Sequence, residues 1–241
     1  MAVWACLVAG LIAAAAFVWA YPITAIHPDQ EESVSVRNCC ADYPPTLRDV
    51  LRHLPPADAE RARDGDDLIT WAHEGLHFCN SRLSKPGWRG FYLLDNTSWR
   101  FPVPKNTRLS HVAAAIPEEL RGPVYKTYLV DARRDWEEIA LYPLDECLAY
   151  WTGAMVRQEI KRRDRQETER YAIELTVYSK YAVHQICERE DDEYPRDALQ
   201  EFLDLIVTRG RIICPDFDQQ PYAKALSTMG RNLEVADAEA K

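Results

Sequence analysis

The stretch LITWAHEGLHFCN, Leu68 to Asn80, carries two histidines four residues apart, with a glutamate directly after the first. Leu68, Ala72, Leu76, Cys79 and Leu83 recur at helical spacing, the apolar stripe of a helix packed on a core. Asp66 or Asp67 is its natural N-cap. Residues four apart lie one above the other on a helix, so His73 and His77 aim two imidazoles at a single point. Glu74 sits about 100° around the axis, close enough to take a proton from a water at that point without being a ligand. That is the physical content of H-E-x-x-H, here His73-Glu74-Gly75-Leu76-His77. The plain alternative is two histidines on the surface of an ordinary amphipathic helix.

A catalytic zinc takes three protein ligands and keeps one position open. None of His27, His53, His111 or His184 follows at the spacing H-E-x-x-H-x-x-G-x-x-H, where Arg82, Leu83 and Ser84 stand instead. Glu146, in YPLDECLAYWTGA (Tyr142 to Ala154), is the better third ligand. It follows a proline break at the start of a helical segment and shares a face with Ala149, Tyr150 and Gly153. The small residues on that face let another helix come close. A glutamate buried there needs a partner, and a metal supplies one.

Taken together, the two motifs resemble the gluzincin metallopeptidases, in which H-E-x-x-H is followed on a later helix by a glutamate ligand. The separation here is 69 positions (146 − 77). The resemblance covers these motifs and not the whole chain. It implies Zn2+ held by His73, His77 and Glu146, Glu74 as general base, and a peptide or protein substrate. Tyr142, Tyr150 and His184 are the candidate donors to the developing oxyanion. Many gluzincins orient a ligand histidine with an aspartate four residues after the glutamate. Tyr150 occupies that position, which leaves Asp145 either as the orienting group or as a helix N-cap. Zincin folds also place a sheet with a substrate-binding edge strand before the first metal helix. Little strand character precedes His73, so GFYLL (Gly90 to Leu94) is the candidate edge. The expected fold is α+β, predominantly α: a reduced zincin-like core with one short hairpin or small sheet. No motif for binding a peptide amino terminus is visible, which favours an endopeptidase.

The rest of the chain sets the context. Its 241 residues, 47% hydrophobic and 28% charged, suffice for one sizeable domain with extensions. A net charge of -9 argues against nucleic acid as a partner, and KRRDR (Lys161 to Arg165) reads as a solvated helix face. The first twenty residues are uncharged and apolar or small, a signal peptide ending near Val18-Trp19-Ala20 or an uncleaved membrane anchor. Either form puts the remainder outside the cytoplasm, secreted or periplasmic. Beyond Cys6, six cysteines (39, 40, 79, 147, 187 and 214) allow up to three disulfides, with Cys79 to Cys147 as one candidate tie between the ligand helices.

Residues 21–65 form an N-terminal extension containing a short strand, SVSVR, and a short helix, LRDVLRHL. Residues 66–215 form the catalytic domain and 216–241 a tail. Within the domain GFYLLDNTSWRFPVP reads as a hairpin, and helices follow from Leu109 onward. Asn96-Thr97-Ser98 is a glycosylation sequon. Glu174 takes a solvent-facing position by default. The competing function is a non-catalytic extracytoplasmic binding or structural protein, stabilised by disulfides and able to bind zinc.

Overall fold

The computed structural model describes residues 43–55, 59, 67–161, 166–219 and 222. The apolar leader, SVSVR, Cys39, Cys40, most of KRRDR and most of the tail lie outside the described residues. Among the described residues no helix is long and apolar enough to cross a membrane.

The architecture is mainly helical with one two-stranded antiparallel sheet. Helix α1 spans Pro45–Leu51 and α2 spans Leu68–Leu83. The hairpin follows as β1, Trp88–Tyr92, and β2, Ser98–Pro102, in a register that pairs Gly90 with Arg100. Helix α3 spans Leu109–Ala115. A single turn, Pro123–Tyr125, then runs into a π-helical segment, Lys126–Asp131, and a short turn, Arg133–Trp136. Three long helices complete the fold: α4, Tyr142–Glu159; α5, Gln166–Arg189; and α6, Arg196–Ile213.

Helix α4 is the axis of the molecule. Fourteen of its 18 residues are buried, and it packs against α1, α2, α5 and α6. Helix α2 lays its expected stripe, Ala72, Leu76, Cys79 and Leu83, into the core. Asp67 caps it, accepting from the Thr70 amide at 3.3 Å and the Thr70 hydroxyl at 2.8 Å. Gly75, inside the H-E-x-x-H run, is what admits α1: a Cβ there would stand 2.6 Å from Val50 Cγ1. Leu47, Val50 and Leu51 of α1 are accordingly fully buried in the same core.

The hairpin does not offer the open edge expected of GFYLL. The outward N–H of Trp88 donates to the Lys85 carbonyl, that of Gly90 to Ser84 Oγ, and that of Tyr92 to Asn80 Oδ1. The C-terminal end of α2 thus takes up the donors that an extended peptide would need.

The expected tie between Cys79 and Cys147 is also absent. Cys79 faces α1, with Sγ 3.9 Å from the Val50 carbonyl, while Cys147 faces α5, with Sγ 3.2 Å from Thr176 Oγ1. All four described cysteines, 79, 147, 187 and 214, are free. Glu174 is fully buried rather than solvent-facing, accepting from the Val124 amide and the Tyr178 hydroxyl.

Candidate metal centre

Helices α2 and α4 cross so that the two sequence motifs meet. His73 Nε2 and His77 Nε2 lie 3.2 Å apart. Glu146 Oε2 is 3.7 Å from the first and 3.5 Å from the second. A tetrahedral zinc at its usual bond lengths separates neighbouring ligand atoms by roughly 3.3 Å. The three atoms therefore already mark out one face of such a polyhedron. Glu146 is 6% exposed, and its Oε2 has no hydrogen-bond partner. A bare carboxylate oxygen in that setting is costly unless a cation faces it. The donor set of two imidazoles and one carboxylate suits zinc.

Asp145, one residue earlier, settles the choice between orienting group and N-cap. The residue before α4 is Leu141, which makes no side-chain cap, and Asp145 instead accepts from His77 Nδ1 at 2.9 Å. That bond fixes the ring so that Nε2 faces the cluster. Asp145 also accepts from Asn80 Nδ2 at 2.7 Å and from Arg89 at 2.9 Å. Arg89 reaches over from β1 and lies across the ring of Trp136, which stacks on Tyr142. Tyr142 stands one helical turn before Glu146, on the same face of α4. A chain of contacts thus joins Asp145, the hairpin and the segment before α4.

The charges are distributed unevenly. Burial, then the neighbouring His77, push His73 down to about 4, against the pull of Glu146 and Asp145. Burial would also lower His77, but the hydrogen bond to Asp145 and the nearby charges of Asp145 and Glu146 prevail and raise it to about 10. In the metal-free molecule His77 is therefore the cation and His73 the neutral acceptor beside it. Burial would raise Asp145, yet its bonds with His77 and Asn80 and the charge of Arg89 hold it below the usual carboxylate range.

The cluster opens on one side into a cavity of about 360 Å³. Glu74 is exposed and lines it beside His73. Tyr150 lines it too, its ring edge-on to His73 at 4.6 Å and its hydroxyl 2.8 Å from that of Tyr128. Burial raises the hydroxyls of Tyr128, Tyr142 and Tyr150, so all three remain protonated donors through the neutral range. Tyr142 stacks on Trp136 and is not among the cavity's lining residues. His184 pairs with Glu188 at 3.4 Å and does not line the cavity.

No protein-family model matches the chain, and neither a curated protein nor a solved structure matches it. Geometry therefore carries the functional reading alone.

Sequence reasoning missed Tyr128, Arg89 and Asn80. Tyr128 is brought in by the π-helical turn, whose extra residue shifts side chains off the spacing that periodicity detects. Arg89 and Asn80 reach Asp145 only because the hairpin folds back onto the end of α2, a contact without a local signature. Gly153 behaves as its neighbours in sequence suggested: Ile69 of α2 and Thr168 of α5 close on it, at 3.3 and 3.6 Å from the place of a Cβ.

Proposed function

We propose that the chain is a zinc-dependent peptidase of gluzincin type, acting on peptide or protein substrates outside the cytoplasm. The observation that carries this reading is the convergence of His73 Nε2, His77 Nε2 and the unpartnered Glu146 Oε2 beside a cavity that also holds Glu74. His73, His77 and Glu146 would hold the ion. When bound, zinc supplies a Lewis acid that polarises a carbonyl and brings the acidity of water into the neutral range.

The chain's own residues supply the remainder. Asp145 keeps the His77 ring in one orientation. Glu74 accepts a proton from the attacking water and returns it to the leaving amine. Of the paired Tyr128 and Tyr150 hydroxyls, one donates to the other, and the second donates toward the carbonyl oxygen as negative charge builds on it. The π-helical segment and α4 hold that pair at the cavity wall, so little reorganisation is needed at the moment of reaction.

The decisive experiment compares the wild type with Glu74→Gln after both are loaded with zinc. The variant keeps stoichiometric zinc and loses hydrolysis of a peptide library by about a thousandfold or more, in line with a lost general base. A wild type that holds zinc yet cleaves nothing in the library makes the centre structural and overturns the peptidase reading.

A further inference from the structure

The cavity extends away from the metal cluster toward the N-terminal turns of α2 and α5, with Gly153 of α4 as its floor. Ile69 is the single aliphatic side chain on its described lining. The walls are instead aromatic: Tyr150 and Tyr171 meet edge to face at 5.8 Å. Two carboxylates line it, Glu74 at the cluster end and Glu167 on the first turn of α5, and among the described residues no lysine or arginine does. Both acids are exposed, so an apolar group would gain the ring faces alone. A compact cation would gain both the carboxylate and the ring faces.

We propose that this cavity selects a cationic group of the substrate, with Glu167 as the counter-charge and the Tyr150 and Tyr171 rings as walls. The inference rests on the peptidase reading for the word substrate. It assigns the ligand chemistry as alkylammonium or guanidinium: a lysine or arginine side chain, or a peptide amino terminus. Glu74 is occupied with proton transfer, which leaves Glu167 as the acid that discriminates. Glu167 acts through the substrate side chain and does not touch the scissile bond.

The test uses acetylated heptapeptides in which lysine or its uncharged counterpart norleucine is scanned through every position. Binding to zinc-loaded Glu74→Gln protein is measured by calorimetry, and cleavage by the wild type is followed in parallel. At one position lysine binds about tenfold more tightly than norleucine, the scale of a cation–π contact reinforced by one charge contact. Adding Glu167→Gln removes that gain and leaves the norleucine Kd and the zinc content unchanged. If an unacetylated norleucine peptide shows the gain instead, the cation recognised is the amino terminus.

A lysine advantage that survives Glu167→Gln, or no advantage and no binding at any position, overturns the inference. Cleavage without charge preference sinks the inference and leaves the peptidase reading standing. Charge-selective binding without cleavage by the wild type does the reverse.

Discussion

Two histidine clusters, one buried around His53 and one half-buried around His73 and His77, are built from the same residue types. In one, His53 Nε2 lies 2.8 Å from the Tyr92 hydroxyl, which donates to Asp49 Oδ2 at 2.8 Å. Asp49 Oδ2 also accepts from the Asp95 amide, and Tyr92 accepts from the Asn96 amide. Leu94, Asp95 and Asn96 have φ of 66°, 50° and 59°, a run of left-handed residues without a glycine. The His53 cluster therefore has a mechanical task, holding a costly turn between β1 and β2. Its carboxylate is spent on hydroxyl and amide donors, and His53, though its Nδ1 is bare, belongs to no group of three potential ligand atoms among the described residues.

The His73 cluster differs in where its unused atoms point. Two imidazole nitrogens and one carboxylate oxygen converge on a common point at the edge of a cavity. A histidine beside a carboxylate and a tyrosine is thus not in itself a site. Convergence of three potential ligand atoms on one point is what sets the His73 cluster apart from a strut.

The contrast can be broken by mutation. Glu146→Ala removes a converging atom, and zinc affinity should fall by more than about a hundredfold, beyond the loss typical of an outer hydrogen-bond partner. Dialysis followed by metal analysis checks it, and retained stoichiometric zinc would refute the ligand assignment. Asp145→Asn keeps all three ligands but alters the acceptor that orients His77, so zinc affinity should drop by about 10- to 100-fold. Competition with a chromogenic chelator measures this, and an unchanged affinity would reduce Asp145 to a partner of Arg89 alone.

Tyr92→Phe acts on the other cluster. It strips donors and acceptors from His53, Asp49 and Asn96, and should cost about 1–3 kcal/mol of stability while leaving zinc stoichiometry unchanged. Chemical denaturation with parallel metal analysis separates the two effects; loss of zinc in this variant would mean that the clusters are coupled.

The smallest effect is on pH dependence. In the metal-free protein His77 is raised from 6.5 to about 10, so between those values the folded state binds more protons and stability falls as pH rises. His73 is lowered from 6.5 to about 4, so stability falls as pH drops through that lower window. The contribution of the pair therefore peaks near pH 6.5. Zinc competes with the proton on His77, so the rise in Tm on adding zinc should be larger at pH 8.5 than at pH 6.5. Thermal scans of metal-free and loaded protein test it. An equal rise at both values would mean that His77 is already neutral without metal.

Much of this was legible in the sequence. The helices of Leu68–Leu83 and Tyr142–Glu159 follow from apolar spacing, the cap from Asp67, and the hairpin from two aromatic runs around Asp95-Asn96. His73, His77 and Glu146 do come together, because an amphipathic helix fixes two ligands and a buried helix start fixes the third.

Orientation across elements was not legible. Cys79 lies on the α1 side of α2 and Cys147 on the α5 side of α4, so the pairing suggested by their neighbours in sequence fails on direction. With the described thiols free, the argument for export rests on the apolar leader. Closure of the β1 edge depended on Ser84 and Asn80 turning their side chains onto the strand. Burial of Glu174 depended on a tyrosine one helical turn later and an amide 50 residues away.

The π-helical turn at Lys126–Asp131 carries a consequence for how such a centre can be lost. A π-turn is an α-helix with one residue too many, and deleting one residue there restores the regular winding and rotates what precedes it by about 100°. Tyr128 would swing away from Tyr150 while the core helices stayed folded. If the proposed peptidase reading holds, deleting a single codon in this segment would remove the hydroxyl pair while leaving His73, His77 and Glu146 in place, a short genetic route from a hydrolase to a relative that only holds zinc.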